Sequence, residues 1–360
     1  MDNQAGSRLK IYARIRAGGH NIPGPFGTRN VFTTENAIHV SKKLITEDAD
    51  LPHVGNPDLA LYNHAPVDRV FAGEAAEQGN VVRDVAGELI LQLQNSVNVG
   101  FVAYGGTATG KSFTILGNKD AAGVLQSAGK LLFDKIATPG STFTGYALSV
   151  AAQLIYKGEI KNLLAQPSSE KSPKTSSQDD PKACSVLVNT EAEYLEVVAR
   201  AIKASISNAS QHMSALPRGH VVLSLILHHP TVFSEEHPTR MLQFFDLNGP
   251  EKLVSADVKN PSTQESIAIN EQLSSLRLLI ENLTQSLQKS ATSGPSKTGV
   301  THLFSNSKLN KLLAPCLTPN TDSKVLFLLT LATTHRYHSD TKETVNFGQT
   351  LSTLKKNFPN

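Results

Sequence analysis

The 360-residue chain has few cysteines, little net charge and no long hydrophobic run. Its two cysteines, Cys184 and Cys316, are too few for a disulfide framework, so we expect a reducing compartment and no structural zinc site. The longest apolar run, at residues 325–329, is far shorter than the roughly 20 residues of a membrane-spanning helix. Residues 1–10 are polar and lack the apolar segment of a signal peptide. The net charge of +3 is too small to imply nucleic acid.

The sequence alternates apolar runs with amphipathic segments. Apolar, β-branched runs bounded by turn residues predict strands at residues 9–15, 99–104, 146–156, 221–228, 241–247 and 325–331. Apolar residues at helical spacing predict helices at residues 81–94, 193–206 and 269–287. This alternation indicates an α/β fold, with a central, mostly parallel sheet flanked by helices on both faces. Residues 18–63, rich in Gly, Pro and Asn, predict a small β lobe near the N-terminus or a long loop at the edge of the sheet.

Two segments are too poor in apolar residues to order themselves by burial. Residues 166–182 are dense in Ser, Pro, Lys and Asp, and we expect a low-complexity loop inserted in the domain. Residues 289–299 predict a second, flexible loop. The remaining chain is interpreted as a tail at residues 1–8 and one domain at residues 9–357.

The segment with the clearest chemistry is residues 105–112, GGTATGKS, which match G-x-x-x-x-G-K-[ST] at every required position. A predicted strand precedes it and a possible helix start follows it, so backbone N–H groups would converge as a nest for phosphate oxygens. Lys111 is expected to reach the β- and γ-phosphates, and the Ser112 hydroxyl to bind Mg²⁺. The expected contacts with a nucleoside triphosphate are Gly105, Gly106, Thr107, Ala108, Thr109, Gly110, Lys111, Ser112 and Phe113.

Further motifs, in the same order along the chain, resemble those of the kinesin motor domain. They are RIRA at 14–17 (compare R-x-R-P), VDRVF at 67–71, NVGFVAYG at 98–105, LIY at 154–156 with IKNLL at 160–164, RGH at 218–220 (S-S-R-S-H), DLNGPE at 246–251 (D-L-A-G-S-E), INEQLSSL at 269–276, SKLNKLL at 307–313 and residues 344–353. The resemblance covers residues 9–356. It implies a P-loop NTPase fold, the cofactors ATP and Mg²⁺, a cytoskeletal location and a neck that starts at residues 358–360.

The resemblance also implies catalytic roles outside the phosphate loop. Asp246 would hold Mg²⁺ through water, and the N–H of Gly249 would contact the γ-phosphate. Arg218 and Glu251 match the pair that closes switch I onto switch II in the family. We therefore expect Arg218, Glu251, Gly249 and Asp246 to be the catalytic residues.

Three departures from the family pattern lie around the nucleotide. Arg14 and Arg16 would lie beside the adenine, but Ala17 replaces the proline that packs against that base. Gly106 replaces the family glutamine of the phosphate loop. Ala108 replaces a family glycine, a change that is costly if its φ is positive.

Switch I departs most from the family. Leu216 and Pro217 replace two serines, one of which binds Mg²⁺ and helps to place the attacking water. Neither leucine nor proline has the hydroxyl, although Ser210 or Ser214 could substitute in a rebuilt loop. We expect a microtubule-stimulated motor ATPase whose hydrolysis is weakened by the degenerate switch I. The alternatives are a nucleotide-binding pseudo-kinesin that serves as a non-motile microtubule-associated subunit, and an unrelated P-loop NTPase or kinase.

The expected partner is the microtubule, with no nucleic acid and no membrane. Positive side chains in the regions that match the family's track-binding side are Lys252, Arg277, Lys308 and Lys311. An ordinary solvated face is an equally good interpretation of these charges.

Overall fold

The structure is a computed structural model that describes residues 7–16, 28, 30–46, 58–165, 179–209, 219–229, 238–250, 260–293 and 300–358. The described strands are β1 (Leu9–Arg16), β2 (Val31–Thr34), β3 (Ala37–Ser41), β4 (Tyr62–Pro66), β5 (Arg69–Phe71), β6 (Asn98–Gly105), β7 (Ala147–Tyr156), β8 (Glu159–Asn162), β9 (Val186–Val188), β10 (His220–His228), β11 (Arg240–Asp246) and β12 (Ser323–Ala332). The large sheet has the order β5-β1-β12-β6-β11-β10-β7-β8, and β9 pairs with β7. Strands β2, β3 and β4 form a separate small sheet.

Helices cover both faces of the large sheet. The described α-helices are α1 (Gln78–Gln94), α2 (Lys111–Leu116), α3 (Val124–Ala137), α4 (Glu191–Ala209), α5 (Pro261–Ser293), α6 (Lys308–Leu317) and α7 (His338–Asn357). Buried residues of α1 to α4, such as Leu89 and Leu125, form the core on one face. Buried residues of α5 to α7, such as Leu276, Leu312 and Leu351, form the core on the other. The expected α/β architecture with a small β lobe is therefore confirmed.

The sheet is mixed rather than mostly parallel. The pairings β5–β1, β1–β12, β12–β6 and β6–β11 are parallel, whereas β11–β10, β10–β7, β7–β8 and β7–β9 are antiparallel. A tight turn at Lys157 and Gly158, both with positive φ, joins β7 to β8 and requires an antiparallel pair. Every long strand is covered on both faces. Its residues are therefore apolar whichever way the strand pairs, and the sequence does not indicate whether a pair is parallel or antiparallel.

The predicted strands and helices are all present, and the main difference is at α5. This helix extends from Pro261 to Ser293, so the flexible loop predicted for residues 289–299 begins inside it. Residues 294–299, and residues 166–178 of the predicted low-complexity loop, lie outside the described residues. Phe358, at the predicted start of the neck, is buried in the core beside α7. None of the helices in the described part of the chain is long and apolar enough to span a membrane.

Candidate nucleotide site

The phosphate loop, residues 105–112, lies where three parallel strands end. Strand β6 lies between β11 and β12, and its register pairs Ala103 with Asp246 and Gly105 with Thr330. A side chain at Gly105 is excluded, because a Cβ atom there would lie 2.2 Å from the Thr330 carbonyl oxygen. The carboxyl edge of a parallel sheet region is the usual binding position in α/β folds. The sheet therefore carries the loop at the edge where a ligand is expected.

Lys111 is buried at the start of α2 and bends back into its own loop. Its Nζ atom donates to the carbonyl oxygens of Gly105, at 2.9 Å, and of Gly106, at 2.6 Å. Burial lowers the pKa of Lys111 to about 8, while Asp246 and Asp340 act in the opposite direction. An ammonium group in a desolvated position, whose hydrogen bonds go to carbonyl oxygens, is a strong partner for an anion.

Asp246 ends β11 with a buried carboxylate. Burial raises its pKa to about 6, and a hydrogen bond from Ser112 and the charge of Lys111 oppose that rise. The Oδ1 atom is buried without a hydrogen-bond partner. A carboxylate oxygen with free acceptor capacity, beside a hydroxyl, suits Mg²⁺, which takes one or two protein oxygens and completes its shell with water and phosphate. Ser112 and Asp246 therefore fit the expected metal.

The loop that follows β11, residues 247–250, packs directly on the phosphate loop. A Cβ atom at Gly249 would lie 2.5 Å from the Thr107 nitrogen, so only glycine permits this approach. The Thr107 hydroxyl also donates to the carbonyl oxygen of Pro250 at 3.4 Å. This is the contact expected of a switch loop that responds to the terminal phosphate.

His220 supports the loop at residues 247–250, a contact that the sequence interpretation missed. Its Nδ1 atom accepts a hydrogen bond from the Asn248 N–H at 3.1 Å. Burial lowers the pKa of His220 to about 4, so the ring is neutral at pH 7. Its position after Arg218 in the RGH motif is the signal that could have indicated this role.

The two arginines of β1 reach the phosphate loop in different ways. The guanidinium of Arg14 donates to the Ala76 carbonyl, to Gln78 and, at 2.6 Å, to the Thr114 hydroxyl in α2, so its donors are used inside the protein. Arg16 is exposed and donates to the carbonyl oxygen of Ala108. Arg14 thus positions α2, whereas Arg16 lies at the rim of the site.

Comparisons with known proteins agree with this geometry. A family model described as the kinesin motor domain matches residues 47–354. The chain belongs to the kinesin motor-domain family. It is 28% identical over 306 residues to kinesin-like protein KIN-14E of Oryza sativa subsp. japonica, a match that covers 81% of the chain and 26% of that protein. It is also 28% identical over 289 residues to kinesin-like protein KIN-14R of Arabidopsis thaliana, covering 78% of the chain and 25% of that protein. The chain thus spans about a quarter of these relatives.

Solved structures share the kinesin fold over nearly the whole chain. A KIF14 dimer with AMP-PNP in complex with a microtubule has a TM-score of 0.70 at 19% identity, and covers 96% of this chain and 94% of that one. The motor and motor homology domain of Kar3Vik1 has a TM-score of 0.69 at 22% identity, covering 96% of this chain and 85% of that one. At these identities the likeness establishes the fold.

Several residues that kinesin motifs led us to expect at the site lie outside the described residues. They are Arg218 and Glu251, the expected switch pair, Lys252, and the switch I residues Leu216, Pro217, Ser210 and Ser214. Their expected roles stay predictions. The described residues bring together Lys111, Ser112, Asp246 and Gly249.

The expected track-binding residues of this kinesin differ in their surroundings. Lys311 is exposed on α6, while Lys308 pairs with Asp179 at 2.6 Å. Arg277 is only about one-third exposed (35%) and donates to the Tyr104 hydroxyl and to Glu343, so its charge is used between elements. The roles of these three side chains in track binding stay predictions, and Lys311 is the most exposed of them.

Proposed function

We propose that this kinesin motor domain binds Mg-ATP at residues 105–112 and couples ATP hydrolysis to microtubule binding and movement. The observation that carries the proposal is the meeting of Lys111, Ser112 and Asp246 at the end of β6 and β11. A desolvated ammonium, a hydroxyl and a carboxylate with a free oxygen are the three groups that a metal–triphosphate needs.

Each of these residues has a distinct task in the proposed reaction. Lys111 would exchange its two carbonyl partners for phosphate oxygens, and Ser112 and Asp246 would hold Mg²⁺. The bound Mg²⁺ supplies neutralisation of the charge that develops on the phosphates. Gly249, already against Thr107, would bring the switch loop to the terminal phosphate.

Hydrolysis is proposed to be slow because of switch I. Leu216 and Pro217 stand where the family has the hydroxyl that binds the metal and places the attacking water. Phosphoryl transfer depends on positioning and charge stabilisation, so losing one such ligand lowers the rate without removing nucleotide binding.

The proposed microtubule contact is the α6 side of the molecule. Lys311 is exposed there, and Lys308 lies beside it with its ammonium paired to Asp179. Lys252, which lies outside the described residues, stays a sequence-based candidate for the same contact. Arg277 is left out of this surface, because its guanidinium is held between Tyr104 and Glu343. The acidic surface of tubulin, which the kinesin resemblance implies as the partner, would complement these lysines.

The deciding experiment is steady-state ATP turnover with and without polymerised tubulin. We expect a low basal rate that rises with polymer. Lys311→Glu should weaken the stimulation, whereas Lys130→Glu, at an exposed lysine on α3 of the opposite face, should not. Clear ATP binding with no turnover at any tubulin concentration would indicate a pseudo-kinesin and refute the motor proposal.

A further inference from the structure

Arg277 joins three elements of the fold: the end of β6, helix α5 and helix α7. From α5, its Nε atom donates to the Tyr104 hydroxyl at 2.7 Å. Its Nη2 atom donates to the Glu343 carboxylate of α7 at 2.8 Å. One planar guanidinium thus connects the end of β6, helix α5 and helix α7. The bonds use its Nε and Nη2 donors, whose directions are fixed by the planar group.

Tyr104 stands directly before the phosphate loop. It precedes Gly105, whose carbonyl oxygen accepts the Lys111 ammonium. The Tyr104 ring is 2% exposed and packs against Phe347 of α7, with ring centroids 4.1 Å apart and ring planes tilted by 30°. Such a ring pair in a packed core allows little independent movement. A displacement of Tyr104 would therefore move the start of the phosphate loop.

Helix α7 touches the phosphate loop a second time, through its first turn. A Cβ atom at Gly106 would lie 2.8 Å from the Asp340 Cβ and 3.0 Å from its Oδ2. Asp340, Glu343 and Phe347 follow one another at helical spacing, so they share one face of α7. That face contacts Gly106 directly, and contacts Tyr104 through Phe347 and Arg277.

We infer that Arg277 is a positioning residue for the nucleotide site. Its hydrogen bond to Tyr104 fixes the end of β6, directly before the phosphate loop. Its bond to Glu343 makes the position of that strand end depend on how α5 lies against α7. The inference deepens the proposed function and rests on it. Thermodynamic linkage is reciprocal: if the Arg277 contacts favour nucleotide binding, then bound nucleotide favours the Arg277 contacts by the same factor. Movement of α5 relative to α7 would then alter nucleotide affinity through this bond.

The test measures the affinity of the full chain for Mg-ADP, with a fluorescent ADP as the probe, together with thermal unfolding. Arg277→Gln should weaken Mg-ADP binding about threefold to tenfold. Tyr104→Phe keeps the ring and its packing against Phe347 but removes the hydroxyl, and should have a similar effect. Because both variants remove the same bond, the double variant should be no weaker than the stronger single one.

Arg240→Gln is the matched control. Arg240 begins β11, at the opposite end from Asp246, and its guanidinium donates to the carbonyl oxygens of Leu93 and Ser96. It should lower the melting temperature and leave Mg-ADP affinity unchanged. Charge exchange, Arg277→Glu with Glu343→Arg, should recover part of the affinity that Arg277→Glu alone loses.

The outcomes separate this inference from the proposed function. If wild-type protein does not bind Mg-ADP, the nucleotide site itself is wrong and the inference falls with it. If the wild type binds, but Arg277→Gln and Tyr104→Phe only lower the melting temperature, the bond is a static structural contact and the inference alone is overturned. Additive losses in the double variant would also overturn it.

Discussion

The Lys111 ammonium donates to the carbonyl oxygen of Gly106 at 2.6 Å, within the loop proposed to receive the phosphates. In this position the side chain is 6% exposed and neutralised only by dipoles and two nearby carboxylates. An incoming phosphate would replace weak acceptors with a full negative charge. The free energy of that exchange explains why this one side chain should dominate nucleotide affinity.

Lys111→Ala should therefore weaken Mg-ATP binding by about a hundredfold or more, since hydrogen bonds between charged groups contribute about 1.5–3 kcal/mol each. Equilibrium titration with a fluorescent ATP measures the loss. Lys130→Ala, at an exposed lysine of α3, is the control and should bind normally. Wild-type affinity in Lys111→Ala would refute the phosphate assignment.

Ala108 occupies a backbone conformation that favours glycine. Its φ is +61°, in the left-handed region, where the Cβ atom of an L-residue is crowded. Ala108→Gly should therefore stabilise the protein by about 0.5–1 kcal/mol, after the extra entropy of glycine in the unfolded chain is subtracted. The measurement is urea unfolding of nucleotide-free protein.

Ala122→Gly is the matched control for that change. Ala122 lies in the turn between α2 and α3 without a positive φ, so glycine there should cost about 0.4–1 kcal/mol. If Ala108→Gly destabilises the protein as much as Ala122→Gly does, the strain at Ala108 is not real.

Periodicity located the strands and helices of the fold well, since the apolar runs at β6, β10, β11 and β12 are long and bounded by turn residues. Ordered motifs located Lys111, Ser112, Asp246 and Gly249, because phosphate chemistry restricts residue type and spacing together. These residues meet because β6 and β11 are parallel neighbours, a pairing that the apolar runs alone do not encode.

Residues that act through long-range contacts could not be found from the sequence. Arg277 was interpreted as a surface charge, and nothing local reveals that Tyr104, 173 positions earlier, accepts its hydrogen bond. Asp340 belongs to the motif-like last helix, but its approach to Gly106 depends on how α7 packs on the sheet. The spacing of apolar residues indicates which face of a helix or strand is buried. It does not indicate which polar residues of different elements come into contact, because tertiary packing decides that.

Two buried groups predict opposite pH effects on stability in the acidic range. Asp246 has a folded pKa of about 6 against an ordinary value of 3.8, so the folded state binds more protons there and stability falls as pH rises. His220 has a folded pKa of about 4 against 6.5, so the unfolded state binds more protons and stability rises with pH. The two contributions should nearly cancel between pH 4 and 6 in the wild type.

Asp246→Asn should expose the His220 contribution. In nucleotide-free protein with a chelator, the free energy of unfolding of this variant should rise by an amount on the order of 3 kcal/mol from pH 4 to pH 6.5. Urea unfolding at a series of pH values measures it. Adding His220→Gln should flatten the curve again, and a variant curve identical to that of the wild type would contradict the burial of Asp246.

Gly249 gives a last prediction, on the switch loop. Gly249→Ala would place a Cβ atom 2.5 Å from the Thr107 nitrogen and 2.7 Å from the Gly106 carbonyl carbon, so residues 247–250 must move away from the phosphate loop. Because reacting groups misplaced by about 1 Å lose about a hundredfold in rate, ATP turnover should fall by that order. Binding of Mg-ADP should change much less, since Lys111 and Ser112 stay in place. Gly87→Ala is the control. Apart from the adjoining backbone of α1, no atom would lie within 4 Å of its new Cβ, so this change should stabilise the helix by about 0.5–1 kcal/mol and leave turnover intact. Wild-type turnover in Gly249→Ala would show that the loop does not need this contact to respond to the terminal phosphate.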